Sequence, residues 1–303
     1  VKINLVTNIR DGKGLLRDAQ IIEEIAKSIG HDVKTFDFRD PPGRRDAALA
    51  IHFEVYAHAY LTTAMRHWIF PNPEWWYPNF NDRLILDFEK VLCKTRYGHQ
   101  LFADLCSNSE YVGFQSHDIR DESIKRARAW IHVAGGSTAK GTKAILDAWD
   151  AYEIEHPLVI VGTTIERRPV RNVHFVLRLP EEDYRIAMNT CLFHIQPSET
   201  EGFGHVLHEA LSVGCVLVTS DWPPMSEITS AITIPIEQGR TGRRQLAQTA
   251  EITPRGIHEA VSAVEALTEK QVEMYRVSSR EEYEGESSRF RSKMVELLLG
   301  ERK

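Results

Sequence analysis

The chain opens on an apolar run, Val1–Asn8 with Ile3, Leu5 and Val6, and breaks at Asp11-Gly12-Lys13-Gly14. The pattern then changes period. Ala19, Ile22, Ile25, Ala26 and Ile29 recur at helical spacing, which predicts a helix from about Leu15 to Ile29, stopped by Gly30. Asp32–Phe38 reads as a second strand, so the chain begins with a strand–helix–strand unit. Ala47–Ala57 carries another strand. The aromatic stretch Trp68-Ile69-Phe70-Pro71-Asn72-Pro73-Glu74-Trp75-Trp76-Tyr77-Pro78 is expected to be a loop, because its prolines cannot join a regular hydrogen-bond ladder. Leu84–Cys93 resumes as strand material and Tyr97–Cys106 as a helix.

The polar, charged segment Gln115–Arg128 reads as a linker. After it the alternation is regular. Strands are expected at Trp130–Ala134, Leu158–Gly162, Val173–Leu177, Leu192–Gln196 and Val216–Ser220. Helices are expected at Lys143–Tyr152, Glu181–Asn189 and His205–Val213. Strands alternating with helices of this length indicate a parallel sheet covered on both faces. Ligands of such sheets lie beyond the carboxyl ends of the strands, which singles out the loops 135–142, 162–172 and 197–204. Beyond Pro254 the pattern is helical to Leu267, and again from Glu269 to the end.

Composition narrows the class. A length of 303 residues suggests two domains, and 42% hydrophobic with 26% charged residues excludes a disordered chain. A net charge of −6 argues against a general nucleic-acid binder, leaving room only for a local basic groove. Cys93, Cys106, Cys191 and Cys215 form no C-x-x-C pair and read as buried structural thiols of a reducing compartment. No run is long and apolar enough for a membrane span, and no signal-peptide core opens the chain, so the expected location is cytoplasmic.

The strongest chemical signal is Pro197-Ser198-Glu199-Thr200-Glu201-Gly202-Phe203-Gly204-His205-Val206-Leu207-His208-Glu209-Ala210. A strand ends, a loop with two glycines follows, and a helix begins near Gly204. Amides at a helix start lack intrahelical partners and carry partial positive charge, so they suit an anion. Gly202 and Gly204 let the backbone approach a ligand closely. Glu209, about two turns into the helix, can accept hydrogen bonds from a pair of sugar hydroxyls. Taken alone, the stretch reads first as a strand-to-helix turn with two solvated glutamates.

The flanks change that balance. Leu192–Ser198 with Glu201-Gly202-Phe203-Gly204 resembles the strand and "PS..EGFG" loop of retaining glycosyltransferases of the GT-B fold, whose signature is E-x7-E. The run Glu209-Ala210-Leu211-Ser212-Val213-Gly214-Cys215-Val216-Leu217-Val218-Thr219-Ser220-Asp221 resembles that family's continuation, as does Pro224–Ile228 with Glu227. The resemblance covers about residues 130–235. It implies an α/β fold with two Rossmann-like domains facing each other across a cleft and a C-terminal helix crossing back. Domains of 1–122 on the acceptor side and 123–280 on the nucleotide-sugar side are expected, with 281–303 as the returning helix.

The same resemblance assigns roles. Val133-Ala134-Gly135-Gly136-Ser137-Thr138-Ala139-Lys140-Gly141-Thr142 is similar to the family's phosphate-gripping "G(R/K)…KG" loop, with Lys140 against the donor diphosphate and Ser137 beside it. A glycine, Gly135 or Gly136, stands where an arginine is expected, and Arg178, Arg167 or Arg168 could supply that charge. Arg178-Leu179-Pro180 resembles the turn that meets the base. Glu201 and Lys140 are the expected catalytic groups. Glu201 orients the donor sugar, while Gly202, Phe203, Gly204, His205 and Val206 offer amides and Glu209 holds ribose hydroxyls. Gly12 and Gly14 resemble the glycine-rich loop near the transferred sugar. The donor is expected to be UDP- or GDP-linked, as a substrate, with no cofactor and no metal.

The acceptor side is less legible. His52 and His58 do not have zinc-ligand spacing, and an ordinary structural role stands beside one near the sugar. Trp75 and Trp76, with Tyr77, read either as packing for a long loop or as a stacking platform for an acceptor ring. Nucleic acid enters only as an acceptor, through a hydroxylated base, and a catalytically inactive nucleotide-sugar binder is the remaining alternative.

Overall fold

The computed structural model describes residues 1–10, 13–42, 46–54, 58–78, 81–163 and 168–300. The chain forms two compact units. Val1–Ser116, Arg244–Ala247 and Glu286–Lys303 make the first, and His117–Arg243 with Gln248–Gly285 make the second.

In the first unit, β1 (Lys2–Thr7), α1 (Lys13–Ser28) and β2 (Asp32–Asp37) form the expected opening, with β1 and β2 parallel from Lys2 beside Asp32 to Thr7 beside Asp37. The apolar stripe of α1 is the reason: Ala19, Ile22, Ile25 and Ala26 are all fully buried. Gly30 ends the helix with φ +85°, and the His31 amide then reaches the Ala26 carbonyl at 3.1 Å. β3 (Ala47–Phe53), β4 (Ala64–Phe70), β5 (Lys90–Cys93), α2 (Arg96–Ala103) and β6 (Ser109–Tyr111) follow. The six strands are parallel in the order β2-β1-β3-β4-β5-β6.

Three local expectations need correction here. Trp68, Ile69 and Phe70 are not loop but the end of β4, fully buried beside β3, because Pro71 and Pro73 fall just past the last ladder position. Leu84–Asp87 is a 3-10 turn rather than strand: the Leu84 and Ile85 amides both bond to the Asn81 carbonyl, and only Lys90–Cys93 joins the sheet. The third strand ends at Phe53, and Ala57 lies outside the described residues.

The second unit contains β7 (Ala127–Gly135), α3 (Thr142–Ala151), β8 (Leu158–Gly162), β9 (Val173–Val176), α4 (Glu181–Thr190), β10 (Cys191–Gln196), α5 (His205–Val213), β11 (Val216–Ser220) and β12 (Ile232–Ile234). A two-strand ribbon follows, β13 (Thr241–Arg244) with β14 (Ala247–Ala250), which the apolar pattern did not announce. α6 (Pro254–Glu265) begins at a Thr253 cap whose hydroxyl accepts from the Gly256 amide at 3.1 Å. α7 (Glu269–Gly300) closes the chain. Its residues from Glu286 onward belong to the first unit, where Phe290 packs on Phe114 at 4.7 Å between ring centres. No described helix is long and apolar enough to cross a membrane.

The second sheet is also six-stranded and parallel, ordered β12-β11-β10-β7-β8-β9. Trp130, Trp149 and Phe193 fill one face, with Trp130 at 5.0 Å from Phe193. On the other face the whole of α5 beyond His205 is buried. Strand order reverses between β7 and β10, so a crevice opens beyond their carboxyl ends. Two of the three loops singled out by sequence, 135–142 and 197–204, lie there.

Candidate active site

The loop after β7 and the loop after β10 are in direct contact. Gly141, at φ +69°, caps α3, and a Cβ added to it would stand 2.3 Å from the Pro197 carbonyl oxygen, so only glycine fits. The Glu199 amide donates to the Ala139 carbonyl at 2.9 Å and locks the two loops edge to edge. Lys140 then reaches across: its Nζ donates to Glu201 Oε1, with the two side chains 17% and 11% exposed. Ser198, fully buried, donates its hydroxyl to the same carboxylate oxygen at 2.6 Å. An ammonium carries three N–H donors, so Lys140 keeps donors for a second anion while Glu201 holds it in place.

Support comes from behind. His132 is fully buried, and Ile195 O can only accept, so Nδ1–H donates to it at 2.8 Å. Nε2 is therefore the acceptor and takes the Thr142 hydroxyl at 2.8 Å, fixing the start of α3 next to Lys140. Burial pushes His132 down to about 4, so the ring stays neutral. Ser220, at the end of β11, donates to the Ser198 carbonyl at 2.6 Å.

The third component is α5. Gly204 caps it at φ +84°, where a Cβ would meet Leu207 Cδ1 at 2.7 Å. The helix start is thereby aimed at the loop that bears Glu201. Glu209, two turns in and only 3% exposed, accepts the Tyr184 hydroxyl at 2.5 Å. Burying a carboxylate is costly, and a hydroxyl donor from α4 offsets part of that cost.

The remaining predicted residues fall in different places. Ser137 is half-buried and its Oγ accepts the Ala139 amide at 3.2 Å, so the side chain shapes the loop. Arg178 is exposed just beyond β9. Arg168 is spoken for by Asp147 at 2.5 Å and Asp150 at 3.7 Å on α3, which removes it as the second cation. Arg167 lies outside the described residues. Gly202 is buried; Phe203 is buried with its ring stacked on His208 at 4.0 Å; His205 is half-buried; and Val206 faces the core. The part open to Phe203 and Val206 at a ligand is thus through the backbone. Gly14 stands in the first turn of α1 with open space about its Cα, and Gly12 lies outside the described residues.

Of the two readings left open on the acceptor side, Trp76 and His52 take the structural one. Trp76 is 3% exposed, donates Nε1–H to Asp82 at 2.9 Å and packs edge-on against Phe102. It is a core residue and offers no stacking face. His52 is fully buried on β3, 3.2 Å from the ring of His67, and burial with His67 beside it pushes His52 down to about 3. Trp75 is exposed, with the Arg244 guanidinium 4.3 Å over its ring. His58 opens a 3-10 turn, and its side chain is outside the described part. Among the described residues no group of three or more His, Cys, Asp or Glu is arranged to hold a metal ion.

Sequence reasoning passed over Tyr184, His132 and Thr142. Nothing in their spacing marks them, since each is joined to the site only through the packing of strands and helices. Ser198 was visible within the loop motif, but its bond to Glu201 was not.

Residues 115–231 match the family described as Glycosyl transferases group 1. No curated protein matches the sequence. Among solved structures, the E. coli trehalose-6-phosphate protein bound with UDP-2-fluoro glucose aligns at a TM-score of 0.70 and 9% identity, covering 98% of this chain and 99% of that one. WaaG, a glycosyltransferase involved in lipopolysaccharide biosynthesis, aligns at 0.62 and 15% identity, covering 99% and 100%. An alpha-glucosyltransferase in complex with UDP and a 13-mer DNA containing a HMU base aligns at 0.61 and 10% identity, covering 93% and 94%. The fold is GT-B, and the segment that matches the family model contains Lys140, Glu201 and Glu209.

Proposed function

We propose that this protein is a retaining glycosyltransferase that moves a sugar from a UDP- or GDP-linked donor to a hydroxyl acceptor. One observation carries the reading: Lys140, Glu201 and the start of α5 converge at the strand-order reversal of the second sheet. Sugar transfer passes through an oxocarbenium-like state while negative charge grows on the leaving diphosphate. Lys140 and the first amides of α5 neutralise that charge, pre-aligned and therefore without reorganisation at the moment of reaction. Glu201 steadies Lys140 and faces the donor sugar; Glu209, braced by Tyr184, takes the ribose hydroxyls. These groups take the place of a divalent ion, so chelation by EDTA leaves turnover unchanged. Without an arginine at Gly135 or Gly136, the exposed Arg178 is the remaining described candidate for a second cation.

A thermal-shift panel of UDP, GDP, ADP and their sugars tests the donor site. One nucleotide should raise the melting temperature, and the shift should vanish in Lys140→Ala and shrink in Glu209→Ala. A panel without any response would reject the reading. Retention is checked separately, from the anomeric proton of the product by NMR.

Solved relatives differ in acceptor, and one was captured on DNA. The exposed Trp75 beneath Arg244 gives that second reading a physical basis, since a ring with a guanidinium on it is a surface on which bases stack. Salt-sensitive retention on DNA carrying hydroxymethylated bases would favour it, and salt-independent flow-through would remove it.

A further inference from the structure

The first sheet reverses its strand order between β1 and β3, so its ligand crevice lies beyond Thr7 and Phe53. The residue directly after β3 is Glu54, held at φ +59°, a conformation that a side chain with a Cβ rarely adopts. Its amide donates to the Phe70 carbonyl at 2.8 Å, and its Oε2 accepts the Asn72 amide nitrogen at 2.6 Å. Asn72 in turn accepts Lys94 Nζ at 3.1 Å, and Lys94 is paired with Asp18 at 2.5 Å. Four segments, the ends of β3, β4 and β5 and the first turns of α1, thus deliver one polar chain to the same edge.

The members are not equivalent. The side chains of Lys94 and Asp18 are 2% and 3% exposed, so their charges cancel inside the protein. Asn72 is buried as well and has both ends engaged. Glu54 is half-buried, and among the described residues no ion pair joins its carboxylate to a cation. Burial pushes its carboxyl above the usual range, against the bond from Asn72 and the more distant charges of Lys94 and Arg244. At the adjoining strand end, Thr7 is fully buried and its hydroxyl has no partner. The carboxylate is thus bonded by Asn72 and held at a positive φ at the end of β3, beside the strand end that carries Thr7. A ligand hydroxyl would donate to the Glu54 carboxylate.

We infer that Glu54, positioned through Asn72 by the Lys94–Asp18 pair, accepts a hydrogen bond from an uncharged sugar hydroxyl of the acceptor at the carboxyl edge of the first sheet. The assignment rests on the transferase reading above. It also selects a substrate chemistry: a carboxylate in this setting repels a phosphate, so the part of the acceptor that it meets is not phosphorylated.

Steady-state transfer is the test, with UDP-glucose or GDP-mannose as donor, whichever nucleotide shifts the melting temperature. Glucose, N-acetylglucosamine and maltose serve as acceptors beside glucose 6-phosphate and fructose 6-phosphate. At least one unphosphorylated sugar should be used. Glu54→Gln should raise its KM at least tenfold with a smaller change in kcat, Glu54→Asp should recover part of the loss, and the nucleotide-induced melting shift should match that of the unmodified protein. An unchanged acceptor KM in Glu54→Gln, or turnover with the sugar phosphates alone or with none of the five, overturns the assignment. If neither UDP nor GDP shifts the unmodified protein, the donor-site reading has failed instead, and the two failures are told apart by that control. Glu54→Gln keeps the shape and the Asn72 contact surface, so it remains readable if a truncation to alanine does not fold.

Discussion

The two sheets have the same number of strands and the same reversal of order, yet their crevices are assembled in different ways. In the second unit, two continuous loops supply nearly everything: 135–141 carries Lys140, and 197–204 carries Ser198, Glu201 and the cap of α5. In the first, Asp18, Glu54, Asn72 and Lys94 come one from each segment and meet only through the sheet. The difference is between a site that works by local backbone shape and one that works by a buried network. A lesion in the former should remove binding and spare the fold. A lesion at the fully engaged members of the latter, Asp18, Asn72 or Lys94, should weaken the fold.

The most severe expected effect tests the loop-built side. Lys140→Ala removes the one cation that both loops share, and turnover should fall on the order of 100-fold or more, the usual scale for losing a pre-aligned group that meets developing charge. Its urea midpoint should stay close to that of the unmodified protein. Collapse of stability instead would erase the contrast between the two crevices.

On the network side, Lys94→Met leaves Asp18 buried without its partner, and such unpairing costs about 3–5 kcal/mol. Chemical denaturation should report that loss, and Lys94→Met with Asp18→Leu should regain most of it. Nucleotide binding in the single variant, measured where it is still folded, should be unaffected.

Gly141→Ala sharpens the loop argument, because its Cβ would collide with Pro197 O and its backbone sits at a positive φ. We expect a loss of about 1–2 kcal/mol from the backbone alone, together with weaker nucleotide affinity as the loops part; calorimetry and a UDP titration separate the two. Tyr184→Phe removes the hydroxyl that braces Glu209 and should weaken nucleotide binding by roughly tenfold, near the lower end of the about 1.5–3 kcal/mol typical of a hydrogen bond to a charged group.

The smallest effect is a pH dependence. The folded-state pKa of Glu54 is raised, so its ionisation costs stability as pH climbs above the ordinary carboxylate range, while below that range both folded and unfolded chains hold the proton and the cost is absent. Glu54→Gln should therefore stabilise the protein near neutrality, and the gain should fade as pH falls through the carboxylate range. Melting curves across pH would show it, and a gain independent of pH would assign the effect to something other than charge.

Much of the second unit could be read in advance because its chemistry follows the chain. The bounds of β8, α5 and β11 agree with the periodic pattern to the residue, and the glycines at 141 and 204 sit where a positive φ is required. The first unit resisted for physical reasons. Parallel strands buried on both faces lose their alternation, so β4 ran unnoticed into a proline-rich loop, and the apolar run Leu84–Leu86 resembled a strand although Leu86 is 73% exposed. Aromatic residues conveyed no direction either: Trp75 and Trp76 are neighbours in sequence, one facing solvent and the other the core.

The sequence by itself determined that two α/β units would form, where the second sheet would turn into helices, and which strand-to-helix loops carry Lys140 and Glu201. These are consequences of periodicity and of backbone shapes open only to glycine, both encoded within a few residues. Tertiary structure alone decided that Lys140 pairs with Glu201, that Tyr184 braces Glu209, and that Glu54 stands at the reversal of the first sheet. Those contacts join residues tens of positions apart, and strand order, which no local pattern specifies, is what makes them neighbours.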